Sequence, residues 1–448
     1  MDAKLKYLLT REQERYVTER PASSAAHDRA NLRLPHGVGS SFQFFKPFPV
    51  TVQSAQGPWV FDADHKRYLD LNMGFGALLV GHGHPQVMEA ITAQLAKGTL
   101  FVAPSLSAEL VASELVQRFS HPLWRFTNSG TEAVMSAVRV ARAHTHRPLL
   151  VKVEGGYHGH ADVTLVSCKP SLDKAGPASH PNSVPESTGL QPGVVDSTVV
   201  IPYNDADALE YAFLKHEGEI AAFIVEPVLE NVGIILPKPG YLKRVRELCT
   251  RFGVVLIFDE VKTGLTASYN GAAGLFDVTP DLTCLAKSIG GGLPLGAFGG
   301  REDIMRNIEE GCVHHGTYNA NPLVLAAAAA ALSACSREAL AATHVLNEEF
   351  ASTVRGIVER FPSELRPVVQ TLGSKGSISF ASKAPESYRD WKASNLLLAE
   401  LVWLWGTNRG VLTPPGLDEQ WLVSLQHTKE SLNTYAAQLE ELAEALNS

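Results

Sequence analysis

What this chain lacks narrows it first. No apolar run reaches the roughly 20 residues that a membrane-spanning helix needs. The longest, Leu323 to Cys335 in NPLVLAAAAAALSAC, reads as a buried helix whose alanines let another backbone approach closely. No cluster of Lys or Arg interrupts a sequence of formal net charge -8, so neither nucleic acid nor a membrane surface is expected as the main partner. Cys168, Cys249, Cys284, Cys312 and Cys335 stand singly, odd in number and without a CxxC pair. That pattern suits a reducing compartment and offers neither a disulfide framework nor a structural zinc site. The N-terminus, MDAKLKYLLTREQER, lacks the apolar stretch of a signal peptide and reads as an amphipathic helix, so a cytoplasmic location and a small-molecule partner are expected.

What is present is an ordered chain too long for one hydrophobic core, since 448 residues exceed what single cores usually serve. Between about Ser107 and Gly300, amphipathic helical stretches alternate with short runs of Val, Ile and Leu, the pattern of a parallel sheet covered by helices. Strands are expected at LLVKVE near 149, STVVIPY near 197, IAAFIVEP near 220, VVLIFDEV near 254 and LTCLAK near 282. Helices are expected over Ser107 to Phe119, Glu132 to His144, Asp205 to His216 and Tyr241 to Phe252. The fold class is therefore α/β, a large doubly wound, mainly parallel sheet domain with its ligand at the carboxyl ends of the strands. Three regions are expected: an N-terminal arm with small-domain strands over 1–80, the large domain over 81–335, and a C-terminal small domain over 336–448. In the first of these, VTVQSAQGPWVFDADHKRYLDL reads as two strands around a Gly-Pro turn. Lys169 to Asp196, rich in Pro, Ser and Gly, is too long for an ordinary connection and reads as a lid or a disordered stretch.

Residues suited to chemistry fall at the expected strand ends. In FTNSGTEA, a strand meets a helix through Ser129, Gly130 and Thr131, whose backbone N–H groups and two hydroxyls make an anion site of the kind phosphates use. Ser and Thr are also ordinary helix caps. In VVLIFDEVKTG, Asp259 ends an apolar strand, where a carboxylate needs a partner. By strand alternation Asp259 and Val261 share one face, and Glu260 and Lys262 the other. A flat cationic heterocycle could rest on Val261 and donate its ring N–H to Asp259; an Asp beginning a turn is the plainer alternative. Lys287 follows an apolar strand and precedes Gly290 to Gly292, a setting that lowers a lysine's pKa and frees the amine to form a Schiff base. A lysine merely snorkelling from a strand end would look the same. Tyr157 or His158 in EGGYHGHAD could stack on the opposite ring face, and Thr317 lies in HHGTYNANP.

Taken in order, these motifs resemble the class III aminotransferases of pyridoxal-phosphate (PLP) fold type I. Within that group the chain is most similar to the glutamate-1-semialdehyde 2,1-aminomutases. The likeness runs from VFDADHKRYLDL and GHGHP through NSGTEA, GYHGHAD, PYND, DEVKTG and AKSIGGGLPLGAFGG to GTYNANP and VSLQHT. The resemblance implies a small α+β domain built from the N-terminal arm and the C-terminal segment. It implies PLP as cofactor, with its phosphate at Ser129, Gly130 and Thr131, and Tyr157 stacked on its ring. Asp259 would hold the ring nitrogen and Lys287 would carry the Schiff base; these two are the catalytic candidates. His158 and Val261 join the cofactor set, Glu226 and Asn231 would lie near the phenolic oxygen, and Thr317 would reach the phosphate of a neighbouring subunit, which implies a homodimer.

The chain departs from the aminomutase pattern where GVGSSFQFFK puts Gln43 in place of a carboxylate-binding arginine. Phe42, Phe44 and Phe45 make that segment apolar, and FFKPFPVTV resembles the aromatic β-amino-acid aminotransferases. Leu265 and Thr266 replace a Phe-Arg pair in DEVKTGLTAS. Gln43, Phe44 and Trp59 are thus the candidate substrate contacts. The expected reaction moves an amino group between an amine or amino acid, β-amino acids among them, and a keto acid or aldehyde; the alternative is the intramolecular shift of the aminomutases. A metal-hydrolase reading built on His82, His84, His158, His160, His314, His315 and Asp162 lacks a recognisable ligand triad and leaves Lys287 without a role.

Overall fold

The computed structural model describes residues 1–418 and 420–448. An arm of two helices, Asp2–Thr18 and Pro21–Asn31, leads into strands β1 (Val52–Gln56), β2 (Trp59–Asp62) and β3 (Arg67–Asp70). Three strands stand where two were expected. The Asp62 carboxylate accepts the N–H groups of Asp64 and Lys66 at 2.9 and 2.8 Å, folding a second tight turn that splits the longer run.

The central sheet takes β4 (Leu123–Thr127), β5 (Leu149–Val153), β6 (Thr198–Ile201), β7 (Ile220–Val225), β8 (Val255–Asp259), β9 (Leu282–Ala286) and β10 (Gly296–Gly300). Their order is β4-β10-β9-β8-β7-β5-β6, with β10 alone running against the rest. The expected strands are there, and β10 is an addition. GAFGG has little strand character, yet a Cβ on Gly299 would lie 2.3 Å from the Trp124 ring, so glycine is what lets β10 fit beside β4. Helices Gly130–Thr145 and Tyr241–Phe252 cover the sheet, in keeping with their apolar periodicity.

The C-terminal segment supplies β11 (Val368–Leu372), β12 (Lys375–Ser379), β13 (Val411–Leu412) and β14 (Gln420–Leu422). β13 pairs in parallel with β3, and β14 pairs with β12, so the two chain ends share one smaller α+β unit. Leu5 and Leu8 of the first helix enter the same core as Phe350, Trp405, Trp421 and Leu439. Arg20, fully buried, donates to Tyr68 Oη at 3.0 Å, Asn408 Oδ1 at 2.8 Å and the Thr407 carbonyl at 2.8 Å, tying the arm to β3 and to the end of the helix Leu396–Asn408.

The alanine-rich run forms helix Pro322–Ala334, capped by the Asn321 side chain. No single described helix is long and apolar enough to cross a membrane. The backbone that its alanines admit is the turn after β9: a Cβ on Gly291 would lie 3.1 Å from the Ala327 carbonyl and 3.2 Å from Ala331 Cβ. The helix thereby seats the turn that carries Lys287.

Gly291 and Gly240 both adopt left-handed backbone, φ 59° and 81°, but a Cβ on Gly240 meets nothing within 4 Å. Gly240→Ala should therefore cost about 1 kcal/mol of backbone strain. Gly291→Ala should cost about 1–3 kcal/mol more through overpacking. Thermal unfolding of the two variants checks this; equal losses would mean that the alanine helix does not confine the turn.

Candidate active site

Because β4, β8 and β9 run parallel, their carboxyl ends deliver Thr127, Asp259 and Ala286 to one edge of the sheet, and a cavity of about 440 Å³ opens there. Ser129, Gly130, Thr131, Tyr157, His158, Glu226, Asn231, Asp259, Val261 and Lys287, all singled out from the sequence, line it.

At one side the helix Gly130–Thr145 begins. Ser129 Oγ caps it, accepting the Glu132 N–H at 3.2 Å, while its hydroxyl proton stays available to a ligand. Thr131 Oγ1 accepts the His160 N–H at 3.3 Å, which draws the 154–160 loop against the helix. A Cβ on Gly159 would lie 2.4 Å from that hydroxyl oxygen, so the loop backbone itself closes the cup.

Asp259 sits at the floor, 4% exposed. One carboxylate oxygen accepts the Val261 N–H at 3.0 Å and the other lies 2.8 Å from His158 Nδ1. His158 is itself buried and its Nε2 has no partner among the described residues. The histidine thus stands behind the carboxylate and aims it. Glu260 points the other way, as alternation implied, and accepts the Ala272 and Ala273 N–H groups at 2.6 and 3.0 Å; burial pushes its carboxyl up to about 7.

Lys287 has left-handed backbone, φ 50°, which is strained for a residue with a side chain and typical of positions that serve a site. Burial, then the Lys375 charge, pushes its amine down to about 8, partly offset by Asp259. Glu226 accepts the Tyr157 and Glu230 N–H groups at 3.0 and 3.1 Å, and burial pushes its carboxyl up.

None of the three expected substrate contacts, Gln43, Phe44 and Trp59, lines this cavity. The short turn Ser41–Gln43 rotates Phe42, not Gln43, into the cavity. Gln43 folds back, its Oε1 accepting the Gly39 N–H at 3.1 Å. Phe44 lies against His36, ring centroids 4.6 Å apart. Trp59 is in β2 with the Arg67 guanidinium 4.4 Å above its ring, packed on the small-domain core. Thr317 is exposed and lines no part of this cavity, although Asn128 Nδ2 donates to Asn319 Oδ1 at 2.9 Å and links its turn to the cup.

Lys262 does line the cavity, against the alternation argument. β8 stops at Asp259, and residues 261–263 form a turn to which the two-residue period no longer applies. Phe75, in a left-handed turn with Gly74, lines it too and was not singled out; Phe42 packs on it at 5.8 Å and on Tyr157 at 6.0 Å. Only the irregular spelling NMGFGALL hinted at that turn.

Residues 169–196 contribute nothing to the lining. Arg389 anchors the segment, donating to the carbonyls of Ala175, Gly176 and Pro177 while gripping Glu154 at 2.9 Å through two nitrogens. Among the described residues no three His, Cys, Asp or Glu side chains are grouped to hold a metal. His82 instead pairs with Asp70 at 2.7 Å, and His314 packs on Phe298.

The arrangement fits a flat, phosphorylated, pyridine-type aldehyde: an anion cup, a carboxylate backed by a histidine, an amine of lowered pKa, and faces of Tyr157 and Val261. The family model for class-III aminotransferases matches residues 44–402. A glutamate-1-semialdehyde 2,1-aminomutase of Methanocella arvoryzae is 39% identical over 92% of this chain and 95% of that protein. Two solved structures are similar throughout. An omega-transaminase from Sphaerobacter thermophilus has a TM-score of 0.89 at 32% identity, over 95% of this chain and 97% of that one. A β-phenylalanine aminotransferase from Variovorax paradoxus has a TM-score of 0.87 at 28% identity, over 98% and 97%.

The lowered pKa of Lys287 has a measurable sign. Only the neutral amine attacks an aldehyde, so trapping of added pyridoxal phosphate by the apoprotein should speed up as pH rises to about 8 and level off above it. An ordinary lysine would keep accelerating to about pH 10. Stopped-flow absorbance from about pH 6.5 to about 10 distinguishes the two curves.

Proposed function

The chain belongs to the class-III aminotransferases, an enzyme family whose cofactor is pyridoxal phosphate, and from that premise we propose that it transfers an amino group between two small molecules. The donor would be an amine or amino acid with an apolar portion, β-amino acids among them; the acceptor would be a keto acid or aldehyde. The observation that carries this reading is the cavity wall. Gln43 turns away, Phe42 and Phe75 face inward, and no arginine lines it among the described residues.

Lys287 would hold the cofactor covalently through Nζ, Asp259 would take its ring nitrogen, and Ser129, Gly130 and Thr131 its phosphate. Tyr157 and Val261 would cover its faces, with Glu226 and Asn231 at its phenolic oxygen. When bound, pyridoxal phosphate supplies an electron sink for the carbon that bears the amine. Asp259, kept in place by His158, holds a proton at the ring nitrogen and so strengthens that sink. Once the substrate's own amine had displaced it from the cofactor, Lys287 Nζ, with its pKa lowered towards neutrality, would take a proton from the substrate carbon and return it elsewhere as general base and acid. Tyr157, with the Phe42 ring edge-on against it, would shield one side of the bound group.

Thr317 and the apolar side chains of Phe101, Val102, Leu106 and Leu110 are exposed on the chain. They suit a homodimer in which Thr317 reaches the neighbour's phosphate cup.

An intramolecular amino shift is the second reading, favoured by the names of relatives such as the Methanocella protein. The test is incubation with an isotope-labelled amine and an unlabelled keto acid, followed by mass spectrometry. Label in the second molecule is expected; label confined to the first would replace transfer with the shift. Asp259→Asn should retain the cofactor and lower kcat by about a hundredfold or more, with a smaller effect on KM. Steady-state kinetics check this, and rates within a few-fold of wild type would remove Asp259 from the ring nitrogen.

A further inference from the structure

Beside the main cavity lies a smaller one of about 60 Å³, reached past Phe42 and Phe75, with Lys262, Lys375 and Gln420 in its wall. Among the described residues its wall carries two lysines and no carboxylate. Lys375 Nζ is 2.5 Å from Glu230 Oε2 and donates to the Lys262 carbonyl at 2.7 Å, and both Lys375 and Glu230 are buried. That pair is self-contained. Lys262 Nζ donates to the Glu230 carbonyl and, at 3.1 Å, to Gln420 Oε1, both neutral acceptors. Gln420 is held in place by donating its amide to the carbonyls of Glu230 and Gly233.

Among the described residues Lys262 therefore has no carboxylate of its own, although it borders both cavities. A second buried atom is also short of a partner: Glu230 Oε1 accepts no hydrogen bond from the described residues. Lys375 takes Glu230 Oε2, so among the described residues Lys262 Nζ has only neutral hydrogen-bond acceptors, with the Glu226 and Glu230 carboxylates acting on it through space. A charge so enclosed is costly until an anion meets it. Burial, Lys375 and Lys287 push the Lys262 amine down to about 7 against the upward pull of Glu230 and Glu226, so an anion bound at Nζ would favour its charged form.

We propose that Lys262 is the substrate-carboxylate clamp of this site, supplying from the turn after β8 the cation that position 43 lacks. The ligand class is a carboxylic acid whose apolar portion rests on Phe42 and Phe75. Lys375 is a positioning residue: by occupying Glu230 it keeps that carboxylate from neutralising Lys262. The inference rests on the amino-transfer reading only for the identity of the site, because carboxylate binding can be measured with no turnover.

Two probes without an amino group, 3-phenylpropionate and 3-phenylpropionamide, would be titrated into the holoenzyme by calorimetry. The wild type should prefer the carboxylate by about tenfold or more, the scale of a charge-assisted hydrogen bond. Lys262→Gln should lose that preference, with the amide's Kd moving by less than about threefold. Lys375→Met should lose it as well, since Glu230 is then free to pair with Lys262, whereas a merely structural lysine would weaken both probes alike. Equal affinity of the wild type for the two probes, absence of binding by either, or an unchanged preference in Lys262→Gln overturns the proposal. A clamp that survives while labelled nitrogen stays in one molecule would refute amino transfer alone; the converse result would refute the clamp alone.

Discussion

A carboxylate at the buried end of an apolar strand needs partners, and those of Asp259 hold the neighbourhood together. The Val261 N–H fixes one oxygen; His158, 2.8 Å away, fixes the other. To keep that histidine there, the 154–160 loop must cross from β5 to β8, and Thr131 and the backbone at Gly159 press it onto the start of the helix Gly130–Thr145. The same loop presents the Tyr157 N–H to Glu226 at the end of β7. One buried charge thus joins the ends of four elements distant in sequence.

Around it, acids and bases are sorted by the direction in which each strand end lets its side chains leave. Glu260, next in sequence to Asp259, is turned to the backbone N–H groups at Ala272 and Ala273, where a helix start accepts negative charge. Glu230 is spent on Lys375. Two amines of lowered pKa, Lys287 and Lys262, remain in contact with the open space. Removing water from amines costs free energy that the fold recovers elsewhere, in the packing of Ala327 and Ala331 against the Gly291 turn and in the small-domain core.

Much of this was legible in the sequence because regular periods encode it. Five central strands read as apolar runs, the Tyr241–Phe252 helix read to the residue, and Lys287, which lines the cavity, stood out by its glycines. Reading failed where the period ends. Lys262 lies beyond the last residue of β8, so counting faces sent it to the wrong side. Phe42 and Gln43 sit in a three-residue turn, where neither the helical nor the strand period says which side chain points inward. β10 was hidden because its fit depends on what glycine omits, and no hydrophobic pattern records an omission. The Lys262, Lys375, Glu230 and Gln420 group joins residues up to 190 positions apart, which no local spacing reveals.

The long segment 169–196 is fixed by Arg389 through main-chain carbonyls of residues 175–177. A guanidinium that reads carbonyls is indifferent to which side chains those residues carry. The anchor constrains the path of the segment and leaves its spelling open. Residues 175–177 can therefore change their side chains without losing this anchor, whereas Glu186, whose carboxylate accepts the Cys168 and Lys169 N–H groups, and Val195, packed with Val166 and Val200, hold their parts of the segment by what they are.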